Sequence, residues 1–401
     1  MTESEQMRPT ITILAVNTGS SSIKFSLYES GVGEELLFSG NLTRIGGADG
    51  RFTVADASGK FIDCRRLETA DHEDACRRAF AWIRASGQGV PDAVGHRVVH
   101  GGQRHAAPET VSPALLDSLD ELIPYAPEHL PQALHAVRYA AWLFPGVFQV
   151  ACFDTAFHSA MPAVARLYAL PEPYRTAGVR RYGFHGLSYE YILSELAASN
   201  EPVARRGRLL IAHLGHGASM AAVLDGRSID TTMGFSPAGG LVMGTRTGDL
   251  DPGVILFLQR QGHLSADGLR ELVNRRSGML GVSGRSDDMR DLLEAGARDE
   301  ASRQAVELFC YQARKHAGAL TAALGGLDML VFTGGIGEHA PEVRQRICSG
   351  LEHLGIRLDA GRNQENLPII SHDSSAVSVR VMKSNEELAI VRQTRRLLEA
   401  R

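Results

Sequence analysis

No GxxxxGK[ST] motif occurs in this chain: Gly59-Lys60 is followed by Phe61, so a Walker-type phosphate loop is excluded. Cysteine is sparse. The five residues Cys64, Cys76, Cys152, Cys310 and Cys348 are odd in number and widely spaced, which gives neither a disulfide framework nor a CxxC metal pattern and suits a reducing cytoplasm. Long apolar runs are missing too, since the most apolar stretch, Ala317 to Gly335, is interrupted by Asp328 and several glycines and falls short of a membrane span. Neither sign of charge dominates: 42 basic against 46 acidic residues leave a net charge of -4, and the basic residues are scattered, which removes the footprint of a nucleic-acid binder. The opening Met1-Thr2-Glu3-Ser4-Glu5-Gln6 is acidic and polar, the wrong character for a secretory signal. His96 and His100 are four apart, but Arg97-Val98-Val99 between them reads as β, where that spacing does not make ligand neighbours, so zinc is not expected. What is present is 401 residues with 44% hydrophobic content, enough for a large core and two domains.

Thr10 to Val16 is β-branched and apolar, Asn17 to Ser21 is turn material, and Ser22 to Tyr28 resumes a strand closed by Glu29-Ser30-Gly31. The same grammar recurs at Leu209 to Gly226, with the tip His213-Leu214-Gly215-His216-Gly217-Ala218-Ser219. Two matching hairpins imply a duplicated architecture. Helices are expected from Ser112-Pro113, over Pro131 to Leu143, from Asp251-Pro252, from Ser265, over Ala301 to Leu324 and over Glu386 to Glu399, with buried strands at Val147 to Phe153 and Met329 to Phe332. That alternation argues for an α/β fold. The expected domains are residues 1–157, completed by a terminal helix at 388–401, and residues 158–387.

Three glycine- or serine-rich turns each follow an apolar strand: Asn17 to Ser22, His213 to Ser219, and Thr333-Gly334-Gly335-Ile336-Gly337-Glu338. Small residues let backbone N–H groups approach phosphate oxygens, and strand ends are where α/β sheets place ligands. One such turn is weak evidence; three in one chain point to a nucleotide.

The stretch Val16-Asn17-Thr18-Gly19-Ser20-Ser21-Ser22-Ile23-Lys24-Phe25 resembles the N-terminal signature of the acetate kinases. Gly95-His96-Arg97-Val98-Val99-His100-Gly101-Gly102, Phe153-Asp154-Thr155-Ala156-Phe157-His158, Arg181-Tyr182-Gly183-Phe184-His185-Gly186, Met243-Gly244-Thr245-Arg246-Thr247-Gly248-Asp249 and Phe332-Thr333-Gly334-Gly335-Ile336-Gly337-Glu338 resemble further motifs of that family in the same order. The likeness covers residues 13 to about 395. It implies the duplicated ATPase fold shared by actin, hexokinase and Hsp70-type proteins, two α/β domains each with a mixed five-stranded sheet, and a homodimer acting on ATP and acetate or a similar short acid.

By the same resemblance, Arg97 and Arg246 neutralise the transferred phosphoryl group, with His185 as a further donor and His129 in support. Arginine suits this because its planar fork bonds two phosphate oxygens at once. Asp154 would orient the arginine or the substrate, and Asn17 and Glu386 would hold Mg2+ (or Mn2+). Ser20, Ser22, Lys24, His213, Gly215, His216 and Gly217 would face phosphate, and Asp288, Met289, Arg290, Gly335, Ile336, Gly337 and His339 the nucleotide. Val99, Glu128, Phe184 and Pro237 would line the acyl pocket. A carboxylate with a pKa of about 4 is already ionised at neutral pH, so in-line attack needs no general base. Without the resemblance the same residues are ordinary: Arg97 passes as a strand-end charge, Asp154 as a structural carboxylate and Asn385-Glu386-Glu387 as an acidic helix start.

The chain departs from its family at His216 and His339, where the better-known members carry Asn, at Glu128, usually apolar, and at Ala238-Gly239-Gly240, where a bulkier segment is usual. An imidazole still donates one hydrogen bond, so altered nucleotide or pH preference is compatible with activity. Two other readings stay open beside acetate: a propionate or other short-chain acyl kinase, and a weakly catalytic nucleotide-binding regulator. A sugar or polyol kinase, with Asp154 as base, runs against the motifs.

Overall fold

A computed structural model of the chain describes residues 9–19 and 21–401. Ser20 and the acidic opening Met1 to Gln6 lie outside the described residues. The chain separates into two units, the first ending at Phe157 and resuming at Asn385, the second running His158–Ser384.

The first unit contains β1 (Ile11–Thr18), β2 (Ser22–Ser30), β3 (Glu34–Thr43), β4 (Arg51–Asp56), β5 (Phe61–Arg66), β6 (Ala93–Val98), β7 (Glu109–Thr110) and β8 (Phe148–Phe153). They form one sheet in the order β5-β4-β3-β2-β1-β6-β8-β7. Strands β1, β6 and β8 run parallel, so their C-terminal ends share one edge. Alternation along a strand sends neighbouring side chains to opposite faces. One face carries Leu14, Val16 and Val94 into a core with Ala79, Phe80, Ala136 and Ala140, from the helices His72–Ala85 and Leu130–Leu143. The other face receives the terminal helix Glu386–Glu399, seated on β6 at Gly95, where a Cβ would lie 2.2 Å from Thr394 Oγ1 and 2.4 Å from Ile390 Cγ2.

The second unit contains β9 (Arg208–Leu214), β10 (Ala218–Leu224), β11 (Arg227–Thr231), β12 (Met329–Thr333) and β13 (Ser378–Val381), ordered β11-β10-β9-β12-β13. The long helix Glu300–Leu324 packs on this sheet. Asp299 caps it, accepting from Ser302 N, and Gly325 ends it in the left-handed region at φ +70°.

The five-stranded sheet matches expectation, but the first sheet has eight strands. Its central order β3-β2-β1-β6-β8 has the same polarity as β11-β10-β9-β12-β13: two antiparallel steps, then two parallel ones. Onto that common core the first unit adds the β4–β5 ribbon at one edge and the two-residue β7 at the other. The ribbon escaped the sequence reading because β5, FIDCRR, is charged and largely exposed, without the alternation that marks a half-buried strand.

Candidate active site

At the shared C-terminal edge of the first sheet, Asn17 on β1, Arg97 on β6 and Asp154 just past β8 project from the face that carries the terminal helix. Arg97 Nε donates to both Asp154 oxygens at 3.1 Å, Nη2 donates to Oδ2 at 2.7 Å, and Nη1 donates to Asn17 Oδ1 at 2.9 Å. Asn17 Nδ2 donates in turn to Glu386 at 3.0 Å and Glu387 at 3.2 Å. Burial alone would pull the Arg97 guanidinium down; the adjacent Asp154 and Glu386 carboxylates outweigh it and hold the group above its usual value. Glu386 and Glu387 open a helix capped by Asn385, whose Oδ1 accepts from Leu388 N, so the macrodipole favours their charge there.

Among the described residues no three His, Cys, Asp or Glu side chains gather into a metal cage. Around Arg97, however, one guanidinium meets the carboxylates of Asp154, Glu386 and Glu387, an excess of negative charge on hard oxygens. That excess of charge suits a divalent cation that keeps most of its waters and takes few protein ligands. Of the other residues expected in this unit, Ser22 and Lys24 start β2, Val99 is buried just after β6, and Glu128 and His129 sit half-buried in the turn before the helix Leu130–Leu143.

In the second unit the hairpin tip is tighter than expected, because β9 and β10 run on to Leu214 and Ala218 and leave only Gly215-His216-Gly217 outside the ladder. Gly215 N donates to Gly217 O at 3.1 Å. A Cβ on Gly217 would lie 3.3 Å from His185 Nε2 and 3.7 Å from Arg246 Nη1, so these groups bound one space. Arg246 Nη1 donates to Pro237 O at 3.2 Å. Its loop is docked by backbone bonds from Ser277 N to Thr245 O, Met279 N to Met243 O and Leu280 N to Gly244 O. Gly278, at φ +63°, permits this: a Cβ there would fall 2.2 Å from Met243 O. Phe184 is buried, and its carbonyl accepts from His158 Nε2 at 3.1 Å.

The third loop is the short helix Gly334–His339, which opens where β12 ends. Gly334, at φ +78°, backs onto Leu214 O, where a Cβ would come within 2.7 Å, so the second and third loops pack together. Beside them lies a cavity of 460 Å³ lined by Gly215, His216, Asp287, Asp288, Met289, Arg290, Gly335, Ile336, His339 and Ala340. A nucleoside-sized ligand suits that volume. Most of the residues expected at the nucleotide line it. Gly337 does not; its carbonyl instead accepts from Arg344 Nη1 at 2.9 Å, beneath the loop. Asp288 caps the helix Met289–Ala295, and its hydrogen bond from Arg290 holds its carboxyl below the usual range.

His216 and His339 both reach the cavity. His216 Nε2 pairs with Asp287 at 3.0 Å, an exposed contact of small energetic weight, and its ring lies over Gly244, where a Cβ would come within 2.8 Å. His339 lies 3.9 Å from Glu338, whose carboxylate accepts from Gly334 N and Ser384 N. Three participants escaped the sequence reading. Arg344, fully buried, donates to Gly337, Glu338, Asn363 and Asn366, yet in sequence it is one arginine on an amphipathic helix. Asp287 and Gly278 carry no local signal beyond turn chemistry, since their roles depend on what packs against them.

Matched five-strand cores, glycine loops at the ends of parallel strands and a nucleoside-sized cavity beside them define a protein of the actin/hexokinase-like fold with room for a nucleotide. The acetokinase family profile matches residues 12–392, and the chain belongs to that family, whose members transfer phosphoryl groups to a carboxyl acceptor and use ATP and a divalent metal. It is 44% identical over 401 residues to an acetate kinase of Methylocella silvestris, covering 96% of this chain and 98% of the relative. The crystal structure of Porphyromonas gingivalis acetate kinase superposes with a TM-score of 0.86 at 36% identity, covering 97% of this chain and 100% of that one. A propionate kinase structure from Francisella tularensis gives 0.88 at 34% identity, covering 96% and 99%.

Proposed function

We propose that the chain catalyses reversible, magnesium-dependent phosphoryl transfer between ATP and acetate, giving acetyl phosphate and ADP by direct in-line attack of the carboxylate. The observation that carries this reading is the 460 Å³ cavity, which draws its walls from the Gly215-His216-Gly217 hairpin tip, the third glycine loop and the Asp288–Arg290 segment together. ATP is assigned to that cavity, with its phosphates toward Gly215 and Gly217. Arg246 and His185, which bound the space at Gly217, are assigned to the transferred phosphoryl group. Such transfer depends on alignment and neutralisation of oxygen charge, which fixed donors supply without covalent help.

In the first unit Asp154 fixes the Arg97 fork by two-point hydrogen bonding, so its role is positioning. Asn17 and Glu386 are assigned to the divalent cation, which on binding neutralises nucleotide phosphate charge. In the second unit the acyl group is assigned to the apolar side chains of Phe184 and Pro237. Propionate remains a second reading because Glu128 departs from the apolar residue usual at its position, and the chain is 34% identical to a propionate kinase. The two contact units are assigned as the two domains.

A homodimer is supported by the helix Pro252–Gln261, which buries none of its residues and exposes Val254, Leu256 and Phe257. Free thiols at all five cysteines support a reducing, cytoplasmic location. The test is hydroxamate trapping of acyl phosphate from purified protein with ATP, magnesium and a panel of acids. Acetyl hydroxamate is expected; no product from any short acid overturns the assignment, and a preference for propionate selects the second reading.

A further inference from the structure

The imidazoles of His185 and His213 stack with centroids 4.4 Å apart and planes at 30°. Each is fastened at Nδ1 by a buried serine from the opposite element. Ser219 on β10 holds His185 at 2.8 Å, and Ser188, on the helix that starts just after His185, holds His213 at 2.8 Å. Ser219 and His213 are direct cross-strand partners, so the two fastenings interlock. With Nδ1 held inward, the Nε2 atoms lie toward the glycine tip: a Cβ on Gly217 would sit 3.3 Å from His185 Nε2, and one on Gly215 4.0 Å from that of His213. Behind Ser219 its hydroxyl also bonds the Tyr189 phenol, itself fully buried. His185 is held at φ +60°, a strained setting for a residue with a side chain and one that surrounding packing must enforce.

We propose that Ser219, backed by Tyr189, fixes His185 as the Nε2–H tautomer, so that the imidazole presents a donor to a phosphoryl oxygen at Gly217; Ser219 and Tyr189 are positioning residues. This rests on the assignment of His185 to the phosphoryl group. A phenol is the stronger donor of the two hydroxyls, so Tyr189 O–H donates to Ser219 Oγ. The single Ser219 hydrogen then points to Nδ1, which accepts it, and the ring hydrogen resides on Nε2. The reverse chain would turn a nitrogen lone pair toward phosphate oxygens, an unfavourable meeting of acceptors.

The experiment uses full-length protein. Histidine-selective 15N NMR, with the His185 signals assigned by their loss in His185→Gln, is expected to show a protonated Nε2; a protonated Nδ1 in the unmodified protein overturns the proposal. In kinetics, Ser219→Ala is expected to lower kcat by about 10- to 100-fold, the scale of losing an orienting partner, with the KM for ATP within about twofold. Tyr189→Phe is expected to lower kcat less, and the double variant to match Ser219→Ala, because Tyr189 acts through Ser219. Losses that multiply in the double variant overturn the relay. Unchanged kcat in Ser219→Ala beside a loss in His185→Gln sinks the positioning role and leaves the functional assignment standing. Full turnover in His185→Gln removes the assignment itself.

Discussion

Acid should loosen the first unit through one residue, His96. It is 1% exposed on β6, and its Nε2 bonds Gln149 Oε1 at 2.7 Å. Burial pushes the imidazole from 6.5 down to about 4, although the Gln149 bond acts the other way. The folded state therefore holds the ring neutral while the unfolded chain takes up a proton below pH 6.5. The associated stability is present above pH 6.5 and is lost as pH falls toward 4. The full difference corresponds to roughly 3 kcal/mol, of which about 2 kcal/mol disappears between pH 7 and pH 5. Both tryptophans, Trp82 half-buried against the core of the first unit and Trp142 on its surface, lie in the same unit as His96, so their fluorescence reports that unit. Urea titrations at the two pH values should give a difference in unfolding free energy that shrinks by about 2 kcal/mol in His96→Asn. An identical pH difference in variant and parent refutes the assignment of a neutral buried imidazole.

Arg246→Ala should lower turnover by about 100-fold or more while nucleotide binding persists, measured by kinetics beside calorimetric ATP titration; unchanged turnover removes Arg246 from the site. Gly278→Ala adds a Cβ at φ +63° against Met243 O, and should cost roughly 3 kcal/mol and misplace the Arg246 loop, read as loss of both thermal stability and kcat. Arg344→Met leaves the acceptors at Gly337, Glu338, Asn363 and Asn366 without their donor, and should lower stability by about 3 kcal/mol and weaken nucleotide binding; a loss under about 1 kcal/mol contradicts the bonding seen. EDTA should abolish acyl phosphate formation, and added magnesium should restore it; persistent turnover without a divalent ion rules out the metal assignment to Asn17 and Glu386.

The sequence by itself determined the α/β class, the paired hairpins, the three glycine loops and the helices that carry their own caps, such as Pro113–Asp120 behind Ser112. Those features are written in residues a few positions apart, where turn chemistry, capping and periodicity act. Resemblance to the acetate kinase motifs singled out Asp154, Arg97 and Arg246, but as separate motifs. Only the tertiary structure decided that Asp154 holds the Arg97 fork, from 57 positions away, and that Asn17 links Arg97 to Glu386, 369 positions distant from it. Nothing local marks such pairs, because they form only when parallel strands align their ends and the terminal helix seats on Gly95. The eight-stranded first sheet, the buried Arg344 and the Ser219–Tyr189 support of His185 were hidden for the same reason. A polar residue's partner is set by packing across the core, whereas its neighbours in sequence report only the element it belongs to.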